Sequence, residues 1–309
     1  MKVLVTGGAG FIGSHLIKAL IDSGNEVTVI DNLSSGNRRN LIEGTEAGRL
    51  SFLLQDVVDR VMLPGFDRIY HLASLASPVF YQRDPIGTAL SNSAGTYNML
   101  VHARENKSRI LFASTSEVYG NPLQHPQQES YWGNVNPNGI RSCYDESKRF
   151  GESLMMDFHR QYGIETRIAR IFNTYGPGMN LNDGRVVPNF ILQALTNRPI
   201  TIYGDGKQTR SYCYVSDTVW GLVNLMNSDF VEPVNIGNPR EITVLELVQK
   251  IKGLTDSKSE IVFTPLPEDD PVRRCPDISR AQRVLSWEPE VSLEEGLRKT
   301  IDWFKLALN

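Results

Sequence analysis

Between a β-rich run, Lys2 to Thr6, and a helical pattern that begins at about Phe11, the chain carries Gly7, Gly8, Gly10 and Gly13. This order of strand, glycine loop and helix constrains the fold more than any other stretch. Glycine lets a backbone turn tightly and approach a pyrophosphate, and a helix amino end offers unpaired N–H groups and a positive dipole end. Ile12, Leu16, Ala19 and Leu20 recur at the spacing of one helix face. Glu26 to Ile30 then reads as a second strand ending in Asp31, eighteen residues after Gly13. An acid there can accept a hydrogen bond from a ribose 2′-hydroxyl and repels a 2′-phosphate, which favours NAD over NADP. Arg38 and Arg39 are the nearby groups that would suit a phosphate.

Leu50 to Leu54, Arg68 to Leu72 and Ile110 to Thr115 read as further strands, alternating with helical stretches. That alternation predicts an α/β fold with a doubly wound parallel sheet. Parallel strands place their carboxyl ends on one edge, so Gly7, Asp31, Asp56, Ser74 and Thr115 are expected along a common rim. The run ILFAST leads straight into Ser116 and Glu117, a polar patch after a buried strand. His71, at the end of an apolar run, reads as a packed core histidine. Pro85 to Ala103 has helical periodicity in Ile86, Leu90, Ala94, Tyr97, Leu100 and Val101, read as a core or subunit-contact face. From Ile171 the composition turns polar, with Asn173, Asn180, Asn182 and Asp183 before a helix at about Val186 to Leu195. Residues 212–238, ending in VNIGN, are expected to return to the sheet. The organisation predicted is a Rossmann domain of residues 1–170 plus about 212–240, interleaved with a smaller α/β substrate domain of 171–211 plus about 241–309.

At 309 residues, 40% hydrophobic and 22% charged, the chain is an ordinary globular one rather than a disordered one. A net charge of -3 argues against nucleic acid or an anionic membrane as partner. No apolar run reaches the ~18 residues of a membrane helix. Glycines interrupt the first thirty residues too early for a signal peptide. Cys143, Cys213 and Cys275 are odd in number and lack metal-ligand spacing, which fits a reducing cytoplasm and no metal.

Tyr144 and Lys148 lie four apart and share one face of a helix whose stripe continues through Phe150, Leu154 and Phe158. Tyr203 and Lys207 repeat the spacing, but across Gly204-Asp205-Gly206, a turn composition. A tyrosine of reference pKa ~10 must fall to about 7, roughly 4 kcal/mol of bias, to act as a base near neutrality. A nearby ammonium and a positive nicotinamide ring both push that way. Thr115 can bond to the same substrate oxygen.

With GGAGFIG, HLAS, STSEVYG, YxxxK and RIFNTYGPG in place, nearly the whole chain resembles the extended short-chain dehydrogenase/reductase family acting on nucleotide sugars. Within it the chain looks most like the UDP-glucuronate decarboxylases, through YWGNVNP, IRSCYDESKR, NDGRVV, YGDGKQTRSYCYVSD and DDPVRRCPD. The resemblance implies NAD held by Gly7, Gly10, Phe11, Ile12, Gly13, Asp31, Asn32, Gly36, Asp56, Val57, Leu72, Ser74, Tyr144 and Lys148. It implies catalysis by Thr115, Glu117, Tyr144, Lys148 and Arg274. A UDP-sugar would be bound by Tyr81, Ser116, Glu117, Asn173, Arg185, Tyr203, Arg210 and Arg274. The implied reaction oxidises the sugar at C4, loses carbon dioxide from the β-keto acid and returns the hydride to give UDP-xylose. Ser116 stands where related dehydratases carry an aspartate, and a neutral group suits a substrate that already bears a carboxylate.

Leu75 replaces a common proline, Leu90 a common lysine expected near the sugar, and Gly178 a common arginine. Asp269-Asp270 beside Arg273-Arg274 reads as a solvated charge cluster. Three alternatives stay open: an epimerase or dehydratase, a decarboxylase that releases the 4-keto pentose, and a non-catalytic NAD(H)-binding regulator. The family commonly pairs the helices near 85–103 and 144–161 into a homodimer, with Met155, Met156 and Phe158 as a compatible cluster.

Overall fold

The structure, a computed structural model, describes residues 1–41, 48–60, 62–266 and 273–308. Its first six strands are β1 (Lys2–Thr6), β2 (Glu26–Asp31), β3 (Leu50–Leu54), β4 (Arg68–His71), β5 (Arg109–Thr115) and β6 (Thr166–Ile171). Then come β7 (Thr174–Tyr175), β8 (Ile200–Tyr203), β9 (Thr209–Ser211), β10 (Cys213–Tyr214), β11 (Val234–Ile236), β12 (Glu241–Thr243), β13 (Ile261–Thr264) and β14 (Arg273–Arg274). Among the described residues one seven-stranded sheet runs in the order β11-β6-β5-β4-β1-β2-β3, with every neighbouring pair parallel. The doubly wound parallel sheet expected from the alternation is therefore present, and the return of residues 212–238 is β11 against β6.

Helices cover both faces, which is why β1 and β5 are apolar at successive positions rather than alternating. Val3, Val5 and Leu111 point to one core, with Leu16, Ile17 and Leu222. Leu4, Ile110 and Phe112 point to the other, with Met99, Leu100 and Met155. Period-two side-chain direction divides the cores. The first core continues without a break into Phe190, Ile200, Leu247, Trp287 and Phe304. Small sheets β12-β9-β14 and β13-β8 lie in that later half.

Two helix expectations need correction. Pro85 to Ala103 is Pro85–Leu90, a π-helical turn Ser91–Gly95, then Thr96–Asn106. Its buried face carries Thr88, Asn92, Thr96, Met99 and Leu100, while Ile86, Leu90 and Tyr97 are exposed. Close packing selects the small and polar residues: a Cβ on Gly95 would lie 2.7 Å from Val57, and one on Gly151 of the facing helix 2.5 Å from Phe112. On the Ser142–Tyr162 helix the proposed stripe divides, Phe150 being exposed and Phe158 buried. Met155 is fully buried against the sheet and cannot meet another subunit.

The Phe11–Asp22 helix approaches the loop after β1 so closely that a Cβ on Gly13 would stand 2.4 Å from the Gly7 carbonyl oxygen. Gly13→Ala is expected to lower the urea-unfolding free energy by about 1–3 kcal/mol. Gly253→Ala, in open space on the Val244–Thr255 helix, is expected to raise it by up to about 1 kcal/mol.

Candidate active site

A cavity of about 1050 Å³ opens across the carboxyl ends of the strands, and every site residue expected from the sequence lines it. It lies where β1 and β4 adjoin and the strand order reverses, the usual ligand crevice of such sheets. Gly7 has φ +70°, and a Cβ there would lie 2.7 Å from the Ala73 nitrogen, so only glycine allows the two loops to meet. At the β2 end, the Asp31 carboxylate accepts the Ala9 and Leu33 N–H groups at 2.9 and 2.8 Å. One acceptor site on each oxygen is left for a ribose. Burial raises the Asp31 carboxyl, and these two N–H groups oppose that. A Cβ on Gly36 would press to 3.1 Å from the same carboxylate. The Ser74 hydroxyl is buried without a partner. Glycine cradle, acid and unsatisfied hydroxyl together fit a dinucleotide. Arg39 lines the cavity, whereas Arg38 stacks over Phe52 at 5.2 Å.

The Thr115 hydroxyl accepts the Glu117 N–H at 3.3 Å, and the same hydroxyl acts on the Tyr144 phenol to lower it. Tyr144 is stacked on Tyr81, with ring centroids 5.2 Å apart and planes 8° apart. The expected depression of the Tyr144 phenol is not produced by the protein alone: burial raises it, against the Thr115 hydrogen bond. Lys148 donates to the Ala113 carbonyl at 2.7 Å and lies 5.8 Å from the Tyr144 ring centroid. Burial brings its ammonium down to about 7, against the attraction of Glu152. His71 is a core residue as expected, bonded to Thr6 at 2.7 Å and Thr96 at 3.1 Å, and burial holds it neutral down to about 3. Tyr203–Lys207 spans a turn with Gly204 and Gly206 at positive φ, as its composition predicts.

Glu117 is gripped by two arginines. Arg274, from β14, donates to both of its oxygens, Nη2 to Oε2 at 2.7 Å, and Arg141 Nη2 reaches Oε2 at 2.7 Å. Burial would raise the Glu117 carboxyl, but the two guanidiniums outweigh it and bring it to about 2. Asp145 lies 3.9 Å from the Arg141 Nε, and burial together with the Glu117 charge raises it strongly. Arg141 and Asp145 were not singled out from the sequence. Their spacing of three residues before and one after Tyr144, inside IRSCYDESKR, is the signal that was available. Glu152, one turn beyond Lys148, was missed as well; it accepts from Ser114 at 2.5 Å and from Arg170 at 2.9 and 2.7 Å.

Arg185 is held by Asp183, its Nη2 2.7 Å from Oδ2, and lies near enough to Tyr144 for its charge to favour the phenolate, while Arg210 donates to the Thr209 carbonyl at 2.9 Å. Asn173 donates to Ser211 O at 3.3 Å, and Tyr203 is half exposed. Leu75 and Gly178 also line this cavity. Leu90 does not: it borders a separate recess of about 250 Å³ with Asp56, Asp59 and Asp84. Leu90 is exposed on the Pro85–Leu90 helix and is not among the residues that line the main cavity. Asp269-Asp270 lie outside the described residues.

Residues 3–237 match the model of the NAD dependent epimerase/dehydratase family. UDP-glucuronic acid decarboxylase 1 of Arabidopsis thaliana is 54% identical over 305 residues, 99% of this chain and 70% of that protein. The UDP-glucose 4-epimerase of Thermotoga maritima, solved with UDP-glucose, superposes with TM-score 0.93 at 34% identity over 100% of both chains. The UDP-glucuronic acid 4-epimerase of Bacillus cereus, solved with UDP-glucuronic acid and NAD, does so with TM-score 0.91 at 29% identity over 99% and 100%.

The Lys148 ammonium titrates near 7 in the fold against 10.5 in an unfolded chain. Between those values the unfolded chain binds more protons, so Lys148 makes stability rise with pH. Urea unfolding of Lys148→Met at pH 7 and 9 is expected to lack that rise.

Proposed function

This chain belongs to the NAD dependent epimerase/dehydratase family, and from that premise we infer that it decarboxylates UDP-glucuronate with NAD as cofactor. The observation that carries this reading is the buried Glu117 carboxylate between Arg141 and Arg274, set beside the Thr115–Tyr144 pair. The identity to the plant decarboxylase over nearly the whole chain supports the same substrate.

When bound, NAD supplies a hydride acceptor for sugar C4 and a positive ring charge. Tyr144 takes the C4 hydroxyl proton, with Thr115 bonded to the same oxygen. Because burial favours the neutral phenol, the phenolate depends on nearby positive charge, from Lys148 in its ammonium form and from Arg185. The C4 ketone is β to the C5 carboxylate, so the C5–C6 bonding electrons move to the C4 oxygen as carbon dioxide leaves. Tyr144 and Thr115 donate hydrogen bonds to that oxygen as its charge grows. Glu117, ionised between its arginines, holds no proton near neutrality; the proton gained at C5 comes from water and passes by Glu117 and Arg274. Ser116, buried and neutral, adds no repulsion to the substrate carboxylate. Hydride return at C4 gives UDP-xylose, and one proton is consumed for each carbon dioxide released.

Residues 1–170 with about 212–240 serve as the NAD domain, and 171–211 with about 241–309 as the UDP-sugar domain. The exposed apolar residues Ile86, Leu90, Tyr97 and Phe150, on adjacent helices, suit pairing of two copies into a homodimer. Free cysteines at 143, 213 and 275 suit the cytoplasm, and among the described residues no helix is long and apolar enough to cross a membrane.

Incubation with NAD⁺ and UDP-glucuronate, followed by NMR, is expected to show loss of the C6 carboxylate and appearance of UDP-xylose. Inversion at C4 with the carboxylate retained would instead assign a 4-epimerase, as in the Bacillus neighbour. Accumulating NADH would assign release of the 4-keto pentose. Tyr144→Phe is expected to lower kcat by at least roughly 100-fold with little change in KM. Light scattering is expected to give the dimer mass, and Tyr97→Asp with Phe150→Glu the monomer mass.

A further inference from the structure

Glu117 has two cationic partners from different parts of the chain, and they are not equivalent. Arg274 belongs to β14, in the later half of the chain, paired with β9 at Arg210. Arg141 is the N-cap residue of the Ser142–Tyr162 helix, and its carbonyl accepts the N–H groups of Tyr144 and Asp145, both at 3.0 Å. Arg141 therefore moves with Tyr144, whereas Arg274 moves with the substrate half. All three side chains are nearly enclosed, at 5% exposure for Arg274, 11% for Arg141 and 14% for Glu117.

Two guanidiniums on one carboxylate leave a surplus positive charge, and under the decarboxylase reading on which this inference rests, a sugar carboxylate arrives there. Arg274 already spends both ends of its fork on Glu117, so it can meet the newcomer only by letting go of one or both oxygens. A buried carboxylate left with no cation would be strongly disfavoured. We propose that Arg141 is a positioning residue: it holds Glu117 to the Tyr144 helix while Arg274 turns to the substrate carboxylate. Glu117 thereby keeps its charge and its place relative to the phenol through turnover. Asp145, the other acceptor within reach of Arg141, competes weakly because its 3.9 Å contact is long and burial disfavours its anion. The titratable and charged groups facing Glu117 are Arg274, Arg141, Asp145, Tyr144 and Tyr81.

The test is a ¹³C NMR titration of the full chain labelled at glutamate carboxyls, with Glu117→Gln assigning the signal. Glu117 is expected to stay ionised through mildly acid pH in the wild type. In Arg141→Gln its protonation is expected to move up by at least about one pH unit, and in Arg141→Lys by less. With UDP-glucuronate, Arg141→Gln is expected to lose roughly 100-fold in kcat with KM changed much less, and Arg141→Lys to recover part of it. A folded Arg141→Gln protein with an unmoved Glu117 titration and near wild-type kcat overturns the proposal. Should that variant not fold, a crystal structure of the wild-type enzyme with NAD and UDP-glucuronate decides. Arg141 is expected on Glu117 with Arg274 drawn toward the sugar; Arg141 detached, or Arg274 still bidentate on Glu117, overturns it. If the wild type does not decarboxylate UDP-glucuronate, the substrate reading fails, while the titration still judges the Arg141 contact.

Discussion

Where β1 runs beside β4 the strand order reverses, and the Gly7 backbone lies so close to Ala73 that a methyl group would stand 2.7 Å from its amide nitrogen. That contact sets the rest of the site. It brings the loop after β1, the helix from Phe11 and the strand ends of β2 and β4 to one rim, and parallel pairing adds the β5 end with Thr115. A cavity that spans this rim and the later loops has room for a dinucleotide and a nucleotide sugar side by side.

Exclusion of water unites the electrostatics of that cavity. Burial disfavours charge on Tyr144, Lys148, His71 and Asp145, so the enclosed protein keeps Tyr144 and His71 neutral and brings the Lys148 ammonium down to about 7. Glu117 is the exception, since two guanidiniums more than offset its desolvation. The cavity is therefore charged around Glu117, Arg141 and Arg274, while burial works against charge on the Tyr144 phenol. Under the proposed reading, a Tyr144 base depends on positive charge brought to it, since burial alone favours the neutral phenol.

Elements with a strong local signal were legible from the sequence. The strand–glycine–helix unit, β2 ending at Asp31, the Tyr144–Lys148 face and the return of β11 all follow from periodicity, turn residues and spacing. The stretch from Pro85 was not, because apolar periodicity alone does not say which face meets the sheet. Gly95 against Val57, after β3, and Gly151 against Phe112 of β5 let these helices pack closely on the sheet side through small residues, and Ile86 and Tyr97 are left outside. Arg141 went unremarked because an arginine at a helix start is ordinary until its partner is known.

The order of residues by itself determined the α/β sheet, the glycine loop before the first helix and the Tyr144–Lys148 pair on one helix face, since each is encoded within a few neighbouring positions. Tertiary structure decided what those groups do: which carboxylate is charged, which arginine holds it and which helix face is free. Glu117 and Arg274 are 157 residues apart, and their contact exists only once two halves of the chain have closed over a common cavity. Protonation follows from that closure, because both desolvation and ion pairing depend on neighbours that spacing along the chain does not specify.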